Sequence, residues 1–367
     1  MLLIYGANGF TGQLIVEECV RRGLRPIVAG RNATAVRALA AHHQLEARVA
    51  PLSRRLSPDL PRLAPPDTPP PPPSDELLAI LDGVHVVLHC AGPFFRTSGP
   101  MVQACLAVGA HYLDITGEIA VFEACRLQHT AARQRGIVIL PGVGFDVVPT
   151  DCLAARLAPQ LPGATLLELA FAGGGGFSRG TLKTMLLGGR DGAIRQDGRI
   201  VTVPRAWRTQ RIPFRDRPRT AITIPWGDVS TAQWSTKIPN VHTYLALPPA
   251  TRRLLPLLSL LQPLLALPAV RRFTERQIDA RVSGPSATVR ASARMQLWGR
   301  VTHPDGRTVE ETATVPEGYR FTAIAAAECA RRVLAAAPAA GYHTPSTAFG
   351  ATLLDDLLQI PSCRASA

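Results

Sequence analysis

Three glycines in the spacing GxxGxxG, Gly6, Gly9 and Gly12, stand between an apolar run, Leu2-Leu3-Ile4-Tyr5, and an amphipathic stretch from Gln13 to Arg22. A strand feeding such a turn and then a helix brings backbone N–H groups and the positive end of the helix to one point, which is the chemistry of holding a pyrophosphate. In Gly6-Ala7-Asn8-Gly9-Phe10-Thr11-Gly12 the first glycine permits the tight turn. The second lets phosphates approach the backbone, and the third lets the helix pack closely on the strand. The spacing alone is weak; the strand before it and the helix after it make it a dinucleotide fingerprint. At the end of the next apolar run the sequence reads Ala29-Gly30-Arg31-Asn32, with no carboxylate for a ribose 2′-hydroxyl. Arg31 offers charge-assisted hydrogen bonds to a 2′-phosphate instead, so NADP(H) rather than NAD is the expected cofactor.

Titratable residues follow the later runs. Asp114, Thr116 and Glu118 come after a fifth strand and face the crevice outside the strand ends, where open α/β sheets bind their ligands. Thr116 is expected at the cofactor and Glu118 in catalysis, although a carboxylate in the place of Glu118 equally suits a helix N-terminus. Asp146 can orient a substrate or relay a proton. With Asp151 it flanks Pro149, and an Asp near a helix-starting proline also serves as a cap. None of Tyr5, Tyr112, Tyr244, Tyr319 and Tyr342 has a lysine four residues on, which excludes the Tyr-x-x-x-Lys carbonyl reduction of short-chain dehydrogenases. Lys183 is the other lysine acid to weigh, and a solvent-facing helix position explains it better.

These residues need a scaffold, and the pattern supplies one. Residues 1–150 alternate short apolar runs with amphipathic stretches, as in a doubly wound parallel sheet of Rossmann type. Strands are expected at Leu2–Tyr5, Pro26–Ala29, Ala47–Pro51, Val84–Cys90, Tyr112–Ile115 and Ile137–Leu140. A proline-rich insertion at 52–74, ending in five consecutive prolines, reads as an extended surface loop. Residues 151–317 read as a second α+β domain with a largely antiparallel sheet. Its strands are expected at Leu166–Ala172, Ile200–Val203, Thr220–Pro225, Tyr244–Leu247, Thr288–Val301 and Thr308–Val315, the last two joined by the turn Pro304-Asp305-Gly306. Residues 318–367 carry an alanine-rich helix, Phe321–Ala336, and a tail returning to the first domain.

The chain has 367 residues, 46% of them hydrophobic, enough for two moderate cores. Its net charge of +13 suits a phosphorylated ligand, yet nearly all of the basic residues are arginine and the surplus reads as spread over the surface. Aromatics are 5% and are not interleaved with the arginines, so a nucleic-acid role is not expected. Seven cysteines without a CxxC pair and nine histidines without ligand spacing point to reduced core thiols and no metal site. With no basic region before the glycine turn to make a signal peptide, a cytoplasmic protein is expected. Leu254–Leu267 is leucine-rich and flanked by arginine pairs. Fourteen residues cannot cross a bilayer, which needs ~20. A buried helix, the entrance for a greasy substrate, and peripheral contact with a membrane surface remain open.

The ordered set Gly6–Gly12, Ala29–Asn32, Cys90-Ala91-Gly92-Pro93-Phe94, Tyr112–Glu118 and Gly144-Phe145-Asp146-Val147-Val148-Pro149 resembles the saccharopine dehydrogenase-like family, which includes trans-acting enoyl reductases. Pro225–Thr231, Ser235–Asn240 and Thr344–Gly350 extend the resemblance over nearly the whole chain. It implies an NADP-binding Rossmann domain with a second α/β domain meeting it over the nicotinamide. It also implies cofactor contact by Ala91, Gly92 and Pro93, and a substrate pocket lined by Trp226, Asp228 and Tyr244, for which core and turn use is the alternative. The expected activity is NADP(H)-dependent reduction of an enoyl C=C or imine C=N in a hydrophobic or acyl-type small-molecule substrate. A noncatalytic NADP sensor or lipid-surface protein is the other reading. Saccharopine synthesis itself fits less well, because no arginine cluster for a dicarboxylate stands out.

Overall fold

The computed structural model describes residues 1–52, 72–174, 176, 178–180, 182, 191–248 and 267–364. Most of the proline insertion, Lys183 and all of the leucine-rich segment except Leu267 lie outside the described residues. The chain forms two compact units, Met1–Cys152 with Tyr319–Arg364, and Leu153–Gly318.

In the first unit the apolar runs form strands β1 (Leu2–Tyr5), β2 (Ile27–Gly30), β3 (Ala47–Val49), β4 (Val86–His89), β5 (His111–Asp114) and β6 (Val138–Leu140). Helices α1 (Phe10–Arg21), α2 (Ala33–His43), α3 (Asp75–Ile80), α4 (Phe94–Val108), α5 (Ile119–Leu127) and α6 (His129–Arg135) occupy the crossovers. Every strand pairing here is parallel, in the order β6-β5-β4-β1-β2-β3. The order reverses between β1 and β4, which opens a crevice at the carboxyl ends of those strands. Ala29, Tyr5, His89 and Asp114 are register partners along that edge. Val86, Val87 and Leu88 are wholly buried, as strands covered on both faces must be.

The returning segment adds a seventh strand, Gly341–Tyr342, parallel to β6, and a helix, Gly318–Ala335, that buries Phe321 and Ile324. Arg22 ties this helix to α1, donating to Glu18 at 2.5 Å and to Glu328 at 3.0 Å. Ser362 closes the cluster by donating to Glu18 at 3.0 Å.

The second unit is built on β7 (Leu166–Ala172), β8 (Asp191–Gln196), β9 (Arg199–Pro204), β10 (Thr209–Pro213), β11 (Pro218–Thr223), β12 (Asn240–Ala246), β13 (Arg294–Thr302) and β14 (Thr308–Pro316). Their order is β10-β11-β12-β7-β13-β14, with the β8–β9 hairpin attached to β12. Only β12–β7 is parallel among the described pairings. One face packs Ala170, Ile212, Tyr244 and Trp298 together. On the other, Gly299 leaves room for the helix α7 (Val148–Leu157): a Cβ there would stand 2.7 Å from Leu157 and 3.1 Å from Leu153.

The mixed sheet corrects two expectations. Thr288–Val301 is not one strand, because the Ser286 hydroxyl accepts from the Val289 amide at 3.3 Å and starts a short helix, Ala287–Ser292, before β13. The strand around Tyr244 begins earlier, at Asn240, where it pairs with β7 from Leu166 onward. The Asp305-Gly306 turn does join β13 to β14, with the Gly306 amide donating to the His303 carbonyl at 2.9 Å.

Candidate functional site

The glycine turn leaves β1 with Gly6 at φ +81°, and the Gly6 and Ala7 amides donate to the Ala29 carbonyl at 2.8 and 3.2 Å. A Cβ on Gly6 would lie 2.7 Å from the Ala91 nitrogen, so the backbone of Ala91 rests directly against the turn. A Cβ on Gly12 would run into the Gly6 carbonyl oxygen and approach Ala7 Cα to 2.9 Å. Only glycine admits this contact between the first turn of α1 and the strand end. Gly9 caps α1 without a side-chain hydrogen bond, and the first turn holds no acidic residue. The first turn of α1 thus brings no carboxylate of its own to compete with a phosphate at the helix N-terminus. Asn8 lies beside them, its Oδ1 2.9 Å from where a Cβ on Gly30 would be.

Arg31 ends β2 exposed and, among the described residues, makes no hydrogen bond or ion pair. Asn32 next to it caps α2, accepting from the Ala35 amide at 3.1 Å. The charge at the strand end is thus unspent while its neighbour fixes the backbone.

The loop after β4 comes next along the edge. Thr97 donates to the Ala91 carbonyl at 2.6 Å and sits 3.0 Å from His89 Nε2. The Gly92–Pro93 bond is cis. His89 is wholly buried, its Nδ1 has no hydrogen-bond partner, and burial lowers its pKa to about 3. It is a neutral imidazole that orders Thr97. Glu118 then settles the end of α4: its two carboxylate oxygens accept from the Phe94 and Phe95 amides at 2.9 and 2.8 Å. The N-terminus of α4 is thus closed by a protein carboxylate, whereas α1 carries no acidic residue in its first turn.

Asp114 is buried and acts as a clasp. It accepts from the Tyr112 hydroxyl at 2.7 Å and from the Thr116 and Gly142 amides at 2.9 Å each. Burial pushes its pKa up to about 6 against the lowering effect of those hydrogen bonds. Thr116, also buried, accepts from the Glu118 amide at 3.1 Å. Asp146 lies against the same loop, with Oδ2 2.6 Å from the position of a Cβ on Gly117. It is half-buried and makes no hydrogen bond or ion pair among the described residues, so it does not cap α7. Burial first, and the nearby Glu118 charge second, raise its pKa to about 7. Asp151 accepts from the Ser346 amide at 2.7 Å, at the start of the helix Pro345–Phe349.

Two aromatic contacts that the sequence does not disclose border these loops. Tyr319, at the head of the returning helix, stands edge-on to Phe10 with ring centroids 5.2 Å apart. Phe321 meets Phe145 at 6.3 Å, and the Thr322 hydroxyl accepts from the Phe145 amide at 3.0 Å. No spacing rule links residues 309 and 176 positions apart; a fold is needed to find them.

The residues expected to line a pocket all belong to the second unit. Trp226 is half-buried, its ring 4.8 Å from that of Phe171. Asp228 is buried in the first turn of the helix Asp228–Thr236. Tyr244 is wholly buried and donates to Glu168 at 3.0 Å, the core use left open for it. Glu168 also receives Arg300, at 2.9 Å from Nε. Among the described residues no group of three or more His, Cys, Asp or Glu could hold a metal ion. No described helix is long and apolar enough to cross a membrane.

The model of the saccharopine dehydrogenase NADP-binding domain matches residues 2–140. A saccharopine dehydrogenase-like oxidoreductase of Homo sapiens is 31% identical over 159 residues, 41% of this chain and 35% of that protein. A putative trans-acting enoyl reductase of Mycobacterium tuberculosis is 32% identical over 196 residues, 50% of this chain and 43% of that protein. The chain thus matches less than half the length of either relative. Apo saccharopine dehydrogenase (L-Glu forming) from Saccharomyces cerevisiae superposes over 98% of this chain and 96% of that chain with a TM-score of 0.57 at 12% identity, a likeness of fold. The glycine turn, α1 and Arg31 all lie within the stretch that matches an NADP-binding domain, and over residues 2–140 the chain is similar to the saccharopine dehydrogenase family.

Proposed function

We propose that the protein is an NADP(H)-dependent reductase that acts on an enoyl C=C or an imine C=N of a hydrophobic or acyl-type substrate, with Asp146 as the proton donor. When bound, NADPH supplies the hydride. The chain's own part is to hold the pyrophosphate on the α1 amides, to hold the 2′-phosphate with Arg31, and to keep an acid ready beside the loops after β4 and β5. The observation that carries the reading is the state of Asp146. It is a half-buried carboxylate with no hydrogen bond among the described residues, and its pKa is raised to about 7. A group with that pKa is protonated in a large fraction of molecules at neutral pH and can deliver the proton that completes a reduction. Glu118, engaged by two amides of α4, sets the position of the α4 terminus, and its charge helps to raise the pKa of Asp146.

The name of the mycobacterial relative favours the enoyl alternative, and the leucine-rich segment favours a hydrophobic substrate. Loss of NADPH absorbance on panels of enoyl thioesters and imines tests the reading. The donor form of Asp146 is full below its pKa and disappears above it, so turnover is expected to fall as pH rises through about 7. Asp146→Asn is expected to lower kcat by a factor of roughly 10² to 10⁴ and to abolish that pH dependence. No turnover on either panel, or an unchanged pH profile in the variant, would sink the assignment.

A further inference from the structure

We propose that the hairpin Arg205–Arg219 of the second unit is a docking surface for an acidic protein. The sequence there is Arg205-Ala-Trp-Arg208-Thr-Gln-Arg211-Ile-Pro-Phe-Arg215-Asp-Arg217-Pro-Arg219, six arginines against the single Asp216. Five of the chain's thirteen net positive charges therefore fall within fifteen consecutive residues. This is not the even spread that composition suggests.

The fold concentrates them further. β10 and β11 pair antiparallel from Thr209–Ile222 to Pro213–Pro218. Among the described residues β10 pairs with β11 alone, which makes it a sheet edge. Its inward positions are filled by Gln210 and buried Ile212, so Arg211 is turned outward. Arg205, Arg208, Arg215 and Arg217 are exposed as well. Arg208, Arg211, Arg215 and Arg217 have no carboxylate partner among the described residues, whereas Arg219 pairs with Asp216. The lead-in loop is held in place. Ala206 adopts φ +53°, and Arg208 and Thr223 exchange two hydrogen bonds of 3.0 Å, the Arg208 amide giving to the Thr223 hydroxyl and the Thr223 amide to the Arg208 carbonyl. Arg208 then stacks on Trp207 at 4.3 Å.

An ordered array of unpaired guanidinium groups presents forked donors that match carboxylates two at a time. Trp207 is already covered by Arg208, and Phe214 is buried, so the surface lacks the free aromatic faces on which single-stranded nucleic acid stacks. None of the exposed large hydrophobic side chains among the described residues lies on it to enter a bilayer. Carboxylate-rich protein is the partner that this chemistry fits.

The test uses the full chain and fluorescent polyglutamate of ~20 residues, followed by anisotropy at low and moderate salt. The variant Arg208→Gln/Arg211→Gln/Arg215→Gln/Arg217→Gln is compared with a charge-matched control, Arg133→Gln/Arg272→Gln/Arg276→Gln/Arg281→Gln, whose arginines are also exposed. The hairpin variant is expected to bind polyglutamate at least tenfold more weakly, and the control less than threefold, with thermal melting of both unchanged. Equal weakening of the two variants would show general attraction to a basic protein and overturn the proposal. So would a hairpin-specific loss that is larger for a 20-nucleotide single strand or for phosphatidylserine vesicles than for polyglutamate. An edge strand merely protected by charge predicts no hairpin-specific loss with any of the three probes.

Discussion

At the scale of single residues, the proposed cofactor choice and acid chemistry rest on side chains that the protein leaves unsatisfied. Arg31 is exposed at the end of β2 without an ion pair among the described residues, while the adjacent Asn32 is committed to capping α2. A guanidinium held this way is worth most to a ligand with a charge it can pair, and a 2′-phosphate is the one group that separates NADP from NAD. Arg31→Gln is expected to weaken NADPH binding by roughly one order of magnitude, the scale of one charge-assisted hydrogen bond, and to leave NADH binding within about twofold. Titration of both nucleotides by quenching of protein fluorescence reads the ratio directly, and an unchanged ratio would remove Arg31 from the site. Glu118 shows the opposite disposition. Both of its oxygens are occupied by α4 amides, so it shapes its neighbour Asp146 by charge.

At the scale of elements, what was legible in the sequence was what is local. Leu2–Tyr5 and Leu166–Ala172 are strands with the bounds their apolar runs suggest, because each run is buried along nearly its whole length. The glycine turn was legible for the same reason: strand, turn and helix adjoin in the chain. The edge elements were not. β10 is Thr-Gln-Arg-Ile-Pro, a polar segment made a strand by β11, and Gly341–Tyr342 is a strand only because β6 lies beside it. Within the candidate site, Tyr319 on Phe10, Glu118 on α4 and the burial of His89 all join residues from different elements, and periodicity carries no trace of them. Elements also depend on paired charges, as the row Glu310, Arg300, Glu168 across β14, β13 and β7 illustrates. Glu168 is 3% exposed and is held by Arg300 and Tyr244. Arg300→Ala strands that carboxylate and is expected to cost about 3–5 kcal/mol in urea unfolding. The double replacement Glu168→Gln/Arg300→Met should recover most of the loss. A single variant as stable as the parent would mean that the pair does not hold the sheet.

At the scale of the whole molecule, the NADP-binding unit is discontinuous in sequence, and its first stretch is not expected to stand alone. Residues 1–152 hold the glycine turn and six strands, but the seventh strand comes from Gly341–Tyr342. Phe321, Ile324, Tyr342, Leu353, Leu354 and Leu357 are buried at 1% exposure or less within the same unit. At about 1.5–3 kcal/mol for each buried side chain, these six supply an amount comparable with the ~5–15 kcal/mol by which a domain is stable at all. Removing the return also strips Arg22 of Glu328, Asp151 of the Ser346 amide and the Phe145 amide of the Thr322 hydroxyl. A chain ending at Cys152 is therefore expected to be insoluble or unfolded. Residues 1–157 joined to 318–364 through a flexible ~15-residue Gly/Ser linker keep both boundary helices whole. That chain should melt cooperatively and bind NADPH within about tenfold of the full chain. Should residues 1–152 fold and bind NADPH by themselves, the return would be a cover and not a part of the domain. Should the joined chain fold and yet fail to bind, the cofactor site would need residues between 158 and 317, and the search for the groups that grip the nicotinamide would move there.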